Sequence, residues 1–181
     1  NLLASYNEET KTTARKQTGS FYTPRPIVEY MVDEALKAHL TGAMVKAGMQ
    51  EKDAHTGLDI LFAYTEREHP FNDTETDTLL AAIHTCKTLD PACGSGAFPM
   101  GILHKLVYII HKLDPVNEKW MQLQIDTASQ IPDPSARDAA ITAIERDFAD
   151  NEDDYGRKLY LIENCLYGVD IQPIAIQISK L

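Results

Sequence analysis

"LDPACGSGAFPMGIL", Leu89 to Leu103, sets two glycines and a few small residues between an acid and an apolar run. It follows on from "KTLD", which reads as a short strand, and leads into "GAFPMGILHKLVYIIHKL". That second stretch reads as a long helix with Phe98, Ile102, Leu106, Ile109 and Leu113 on one face. Gly94 and Gly96 open dihedrals that side chains disfavour, and they let a ligand lie against bare main chain. Ala92, Cys93 and Ser95 keep the rest of the cradle small. A turn between strand and helix sits at the carboxyl edge of a sheet. The helix behind it points free N–H groups at whatever binds there.

Downstream, "YLIENCLYGVDI" reads as a second strand ending at Asp170, and "QPIAIQISKL" begins a helix. The order after residue 85 is then strand, glycine turn, helix, excursion, strand, helix, which predicts a βαβ unit with a parallel sheet. An acid ending the second strand of such a unit is placed to accept hydrogen bonds from both hydroxyls of a ribose. In a compact unit it lies about 20 residues past the glycines. Asp170 lies much further on, so a helical insertion over about 114–160 must be looped out. The alternative reading of Asp170 is a cap for the helix entered at Pro173.

The charges of the loop narrow its ligand. The free amides around Gly96 to Phe98 suit a carboxylate, and Asp90 suits a cationic amine. Together they match a zwitterion, the amino-acid end of S-adenosylmethionine. A pyrophosphate would be repelled by Asp90, and the third glycine of a dinucleotide fingerprint is replaced by Pro99.

Upstream, residues 1–20 are polar and read as extended. In "GSFYTPRPIVEYMVDEALKAHL" a helix should start near Pro24 to Pro26. Ile27, Tyr30, Met31, Glu34 and Ala35 recur at helical spacing there, with Val28, Val32 and Leu36 widening the stripe. "GLDILFAYTEREH", "DTETDTLLAAIHTC" and "SARDAAITAIERDFAD" read as further helices. The acids from Glu145 to Asp154 read as solvated surface, and Trp120 has no recognisable partner. With 44% apolar and 24% charged residues the composition is that of an ordinary globular protein. The longest apolar run, "LVYII", is too short for a membrane. Three cysteines are too few for a disulfide framework and point to a reducing cytoplasm. A net charge of −10 argues against this piece gripping a polyanion by itself. The absence of an initial Met and the uncapped final helix suggest a piece of a longer polypeptide.

Three segments carry a resemblance. "LDPACGSGAF" resembles the cofactor motif of adenine-specific DNA methyltransferases. "RKQTGSFYTPRPIVEYMV" is similar to the motif that precedes it in the gamma-class order, and "LYGVDIQPIAIQISKL" to the motif that follows. The style is that of large single-chain, type IIG-like restriction–modification enzymes. The matches span residues 15–36, 87–106 and 163–181, in the family's order. The resemblance implies an α/β, Rossmann-like S-adenosylmethionine-dependent methyltransferase fold, present in part. Residues 1–85 would form a helical segment with the Thr-Pro motif, and residues 86–181 a partial cofactor domain. It implies cofactor contacts from Tyr22 and Thr23, from Asp90, Ala92, Cys93, Gly94, Ser95, Gly96 and Phe98, and from Asp170 and Ile171. Phe98 would wall the pocket, and Ile171 would press on the adenine ring. The alternative for Tyr22 and Thr23 is a helix cap with an aromatic staple. The partner implied is double-stranded DNA, held mostly by parts outside this chain, with no metal needed.

Departures from the family pattern are equally specific. Its catalytic Asn/Asp/Ser-Pro-Pro-aromatic loop is absent, since none of the nine prolines here are adjacent. No catalytic residue is therefore assigned, and that loop is expected downstream of Leu181. Neither a target-recognition domain nor a nuclease pattern is recognisable. An RNA or protein methyltransferase, or a methyltransferase-like interaction module without a ligand, are the competing readings.

Overall fold

In the computed structural model, which describes residues 6–7, 12–13, 23–149 and 155–179, the proline-led helix is α1 (Arg25–Lys46). Pro24 precedes it and Pro26 lies in its first turn, where a missing N–H costs nothing. It closes at Gly48, whose φ of 99° lets Met49 N donate to Met44 O and Gly48 N to Val45 O, each at 3.0 Å. The buried stripe is Val28, Val32, Leu36, Leu40 and Met44. Ile27, Tyr30 and Met31, expected on the inner face, are exposed, so the stripe is rotated from the one first counted.

Helix α2 (Glu51–Phe62) starts before the expected segment and stops inside it, and "AYTEREH" is part of a connection. Its last carbonyls are taken by one face of the helix after the glycine loop, α4 (Ala97–Leu113). Lys105 Nζ donates to Phe62 O at 3.3 Å, Tyr108 OH to Ala63 O at 2.6 Å and Lys112 Nζ to Ile60 O at 3.3 Å. Two cations thus sit at the negative end of a helix. Between them in sequence, α3 (Asp73–His84) begins with a capping box in which Asn72 and Glu75 exchange side-chain and backbone bonds. Helix α4 is central: Leu103, Leu106, Val107, Ile109, Ile110 and Leu113 are buried along one broad face. Lys105 is 2% exposed and pairs with Asp33 at 3.2 Å, tying α1 to α4.

The excursion is helical, as α5 (Glu118–Ala128), α6 (Pro134–Ala149) and α7 (Tyr155–Asn164). Trp120 finds its partners in the fold rather than in sequence. It meets His84 and Tyr160 edge-on, at centroid distances of 5.7 and 5.5 Å, while those two stack at 4.5 Å. Burial lowers the His84 pKa, with Lys87 adding to the effect, and pushes the Tyr160 hydroxyl up to about 12. Cys165 is likewise pushed up to about 11 by burial. Cys86, Cys93 and Cys165 are all free and buried.

Two pairs of strands complete the described residues. β1 (Tyr6–Asn7) and β2 (Thr12–Thr13) are antiparallel, with Tyr6 opposite Thr13. β3 (Thr88–Asp90) and β4 (Leu166–Gly168) are parallel, with Leu89 opposite Tyr167 and Asp90 opposite Gly168. The short helix α8 (Pro173–Ser179) follows.

This overturns the α/β, Rossmann-like expectation: the protein is mostly helical, and its parallel sheet has two strands among the described residues. A doubly wound sheet needs a succession of extended apolar runs, each followed by a helix. Here the apolar residues of 25–84 recur at three and four, the helical period, leaving "TLD" and "LYG" as the paired strands. The second strand was also read too long. Residues 155–164 form α7: burial recurs every four residues at Arg157, Leu161 and Cys165, while Glu163, which a strand would turn to the same side as Leu161 and Cys165, is exposed. Among the described residues no helix is long and apolar enough to cross a membrane.

Candidate functional site

Strand β3 delivers Asp90 to the start of the glycine loop. Asp90 Oδ1 accepts the Ala92 amide at 3.0 Å, a local turn bond. Its Oδ2 is buried and has no partner among the described residues. A buried carboxylate oxygen without a donor is costly, so this atom marks a place where a donor belongs.

The loop is then stitched to the end of β4. Val169 N donates to Asp90 O at 2.9 Å, and Cys93 N donates to Val169 O at 3.0 Å. Gly94 N donates to Asp170 Oδ2 at 2.9 Å, and Gln172 N to Asp170 Oδ1 at 2.7 Å. The two acids picked from sequence therefore meet at one loop. Asp170 does not cap α8 in the ordinary way, because it bonds the residue before Pro173 rather than the helix's own first turn.

Each glycine answers to a different neighbour. Gly94 takes φ 53° with nothing within 4 Å of a would-be Cβ. Gly96 takes φ 87°, and a Cβ there would lie 3.3 Å from Ser179 Cβ of α8. Gly168, at the end of β4, would meet Cys93 Sγ at 3.0 Å. So part of the bare backbone expected to face a ligand is covered by the chain itself, and Gly94 is the glycine with open space. Ser179 and Gly168 were not picked out from sequence; their only signal is the pattern of close approach.

Helix α4 begins at Gly96 with no capping side chain and no acid in its first turn. The amides of Ala97 and Phe98 have no acceptor among the described residues, which leaves the positive end of the helix open to an anion. Phe98 lines a mostly apolar cavity of about 430 Å³ together with Asp90, Pro91, Met31, Leu89 and Ile102. The first turn of α1 lies against α4: a Cβ on Gly101 would sit 2.9 Å from Val28 Cγ1. Thr23 therefore precedes a helix packed beside the site, and no side chain caps that helix. Tyr22 lies outside the described residues. Ala92 and Ser95 are exposed on the loop, and Ile171 projects into solvent just past Asp170.

An amine donor fits at Asp90 Oδ2, and a carboxylate fits at the first turn of α4. Each Asp170 oxygen keeps a second lone pair for a hydroxyl donor. Among the described residues, no three His, Cys, Asp or Glu side chains gather as metal ligands. A larger cavity, about 830 Å³, lies at the other end of α4 between Tyr64, Arg67, His69, Tyr108 and Lys112. Burial, and then Lys112, lower the His69 pKa there. None of the residues expected from sequence lines it. No family model, curated protein or solved structure matches the chain, so the reading of the site rests on its own residues.

Proposed function

We propose that the chain binds S-adenosylmethionine and forms the cofactor-binding part of an adenine-specific DNA methyltransferase of a restriction–modification system. The observation that carries the reading is the convergence of Asp90 and Asp170 on one glycine loop. One carboxylate is bonded to Gly94 N at 2.9 Å, and the other presents a buried oxygen in want of a donor. The reading stands on this site and not on a sheet fold.

Asp90 would receive the amine, the first-turn amides of α4 the carboxylate, and Asp170 the ribose, with Phe98 and Ile171 beside the rest of the nucleoside. When bound, the sulfonium supplies an electrophilic methyl group open to direct displacement by the amine of adenine. The chain's share of that reaction is orientation of the donor. Double-stranded DNA would be engaged mostly by parts of the protein outside this chain, in keeping with its net charge of −10.

Ser179 beside Gly96 favours a second reading, an interaction module in which the glycines serve packing alone. Calorimetry separates the two. The cofactor reading expects S-adenosylmethionine and its demethylated product both to bind the 181-residue chain, and Asp90→Ala to abolish the heat. A packing module would bind neither.

A further inference from the structure

We infer that Asp170 is a positioning residue, a strap whose carboxylate holds the glycine loop in its binding-ready shape. Sequence logic gives the two acids parallel duties toward a ligand, one for the amine and one for the ribose. The structure separates them. Both oxygens of Asp170 are engaged by backbone amides, Gly94 N at 2.9 Å and Gln172 N at 2.7 Å, whereas Asp90 keeps one oxygen unengaged.

Three successive bonds tie the loop to the end of β4. Two are backbone to backbone, at Asp90–Val169 and Cys93–Val169, and any sequence could make them. The third, from Gly94, depends on one side chain. Gly94 has no packing to hold it: a Cβ there would meet nothing within 4 Å, and its φ is 53°. A glycine so free loses much entropy when fixed. A charge-assisted bond from N–H to carboxylate is the stronger kind, and beside it the other side-chain restraint on this residue is a weak Cys93 Sγ bond to Gly94 O at 3.9 Å. Just beyond Gly94 come the unpaired amides of Ala97 and Phe98. If the strap is lost, their direction is lost with it, and any ligand must then order the loop itself.

The strap needs no ligand. Its effect on binding rests on the cofactor reading above, and the test keeps the two apart. Amide hydrogen exchange is measured on the ligand-free 181-residue chain as wild type, Asp170→Ala and Asp170→Asn. With Asp170→Ala, the hydrogen-bonded loop amides of Cys93, Gly94 and Gly96 should exchange about tenfold faster or more, as losing a bond to a charged group implies. Those of Ile109 and Ile110 should not change. Asp170→Asn keeps one acceptor oxygen and should fall between, and it carries the test if the Ala variant exchanges everywhere. Loop amides as protected in both variants as in wild type overturn the strap.

A second measurement titrates methionine, which lacks ribose, and methylthioadenosine, which lacks the amino-acid end, by NMR. A strap predicts that Asp170→Ala weakens both several-fold. Weakening of methylthioadenosine alone would make Asp170 a ribose ligand only, and overturn its positioning role. If wild type binds neither compound, the cofactor reading fails while the exchange result still decides the strap.

Discussion

In the helical part of the molecule, Leu40, Leu58, Ile83 and Ile109 have no exposed surface; along the β3–β4 sheet, Leu89 is 63%, Tyr167 46%, Val169 54% and Ile171 92% exposed. The two regions are held by different forces. The helices gain their stability from apolar area removed from water, roughly 25 cal/mol for each Å². The sheet edge and its loop have little such area and depend on backbone bonds, on two glycines with positive φ, and on Asp170. Side chains near a ligand must leave room for it, so a binding edge is built from directional contacts on a rigid support. α4 belongs to both regions: its C-terminal half is core, and its first turn borders the proposed site.

The contrast is most strongly tested in the core. Ile109→Ala leaves a cavity in the middle of α4 and should lower stability by about 2–5 kcal/mol in urea unfolding. Ligand affinity of the molecules that remain folded should be unchanged. A large loss of affinity at full folding would mean that the regions are not separable. Gly96→Ala is the reverse experiment. Its cost is backbone strain at φ 87°, about 1–2 kcal/mol. A Cβ there would also press on Ser179, so this variant should harm binding more than stability. A merely global loss of stability, with affinity intact, would return Gly96 to the core.

The smallest expected effect is on pH. Burial lowers the pKa of His84 below its ordinary 6.5, so below that value the unfolded chain takes up a proton that the folded chain refuses. Stability from this residue is complete above pH 6.5 and is lost as pH falls. The slope is at most about 1.4 kcal/mol per pH unit. His84→Phe should flatten the decline between pH 6.5 and 5.5 in urea unfolding, leaving a smaller slope from His69. An unchanged slope would remove His84 as its source.

How much was legible in the sequence follows the same division. The glycine loop, α3 and α4 were readable because their signals are local: Gly94 and Gly96 after an acid, and apolar residues at helical spacing. The meeting of Asp170 with the loop was legible only as an acid ending a strand, and its bond to Gly94 N was not expected. Strand and helix were confused at 160–164 because Tyr160, Leu161 and Ile162 suit either period, and burial at every fourth residue, Arg157, Leu161 and Cys165, with Glu163 exposed, decided it. Buried Lys105 and the His84–Trp120–Tyr160 cluster join residues far apart in the chain, and no local pattern announces them. The sheet expectation failed for another cause. It carried a whole fold over from short motifs, and motifs fix a turn and its neighbours, not the number of strands around them.

The most direct test of the central claim is to locate the cofactor. Isotope-labelled chain is titrated with S-adenosylmethionine, and amide and methyl shifts are followed by NMR. The account predicts saturable shifts at Asp90 to Phe98 and at Val169 to Ile171, with the Ile109 and Ile110 signals unmoved. No shifts at saturating ligand, or shifts gathered around Tyr64, His69 and Lys112 at the far end of α4, would contradict it.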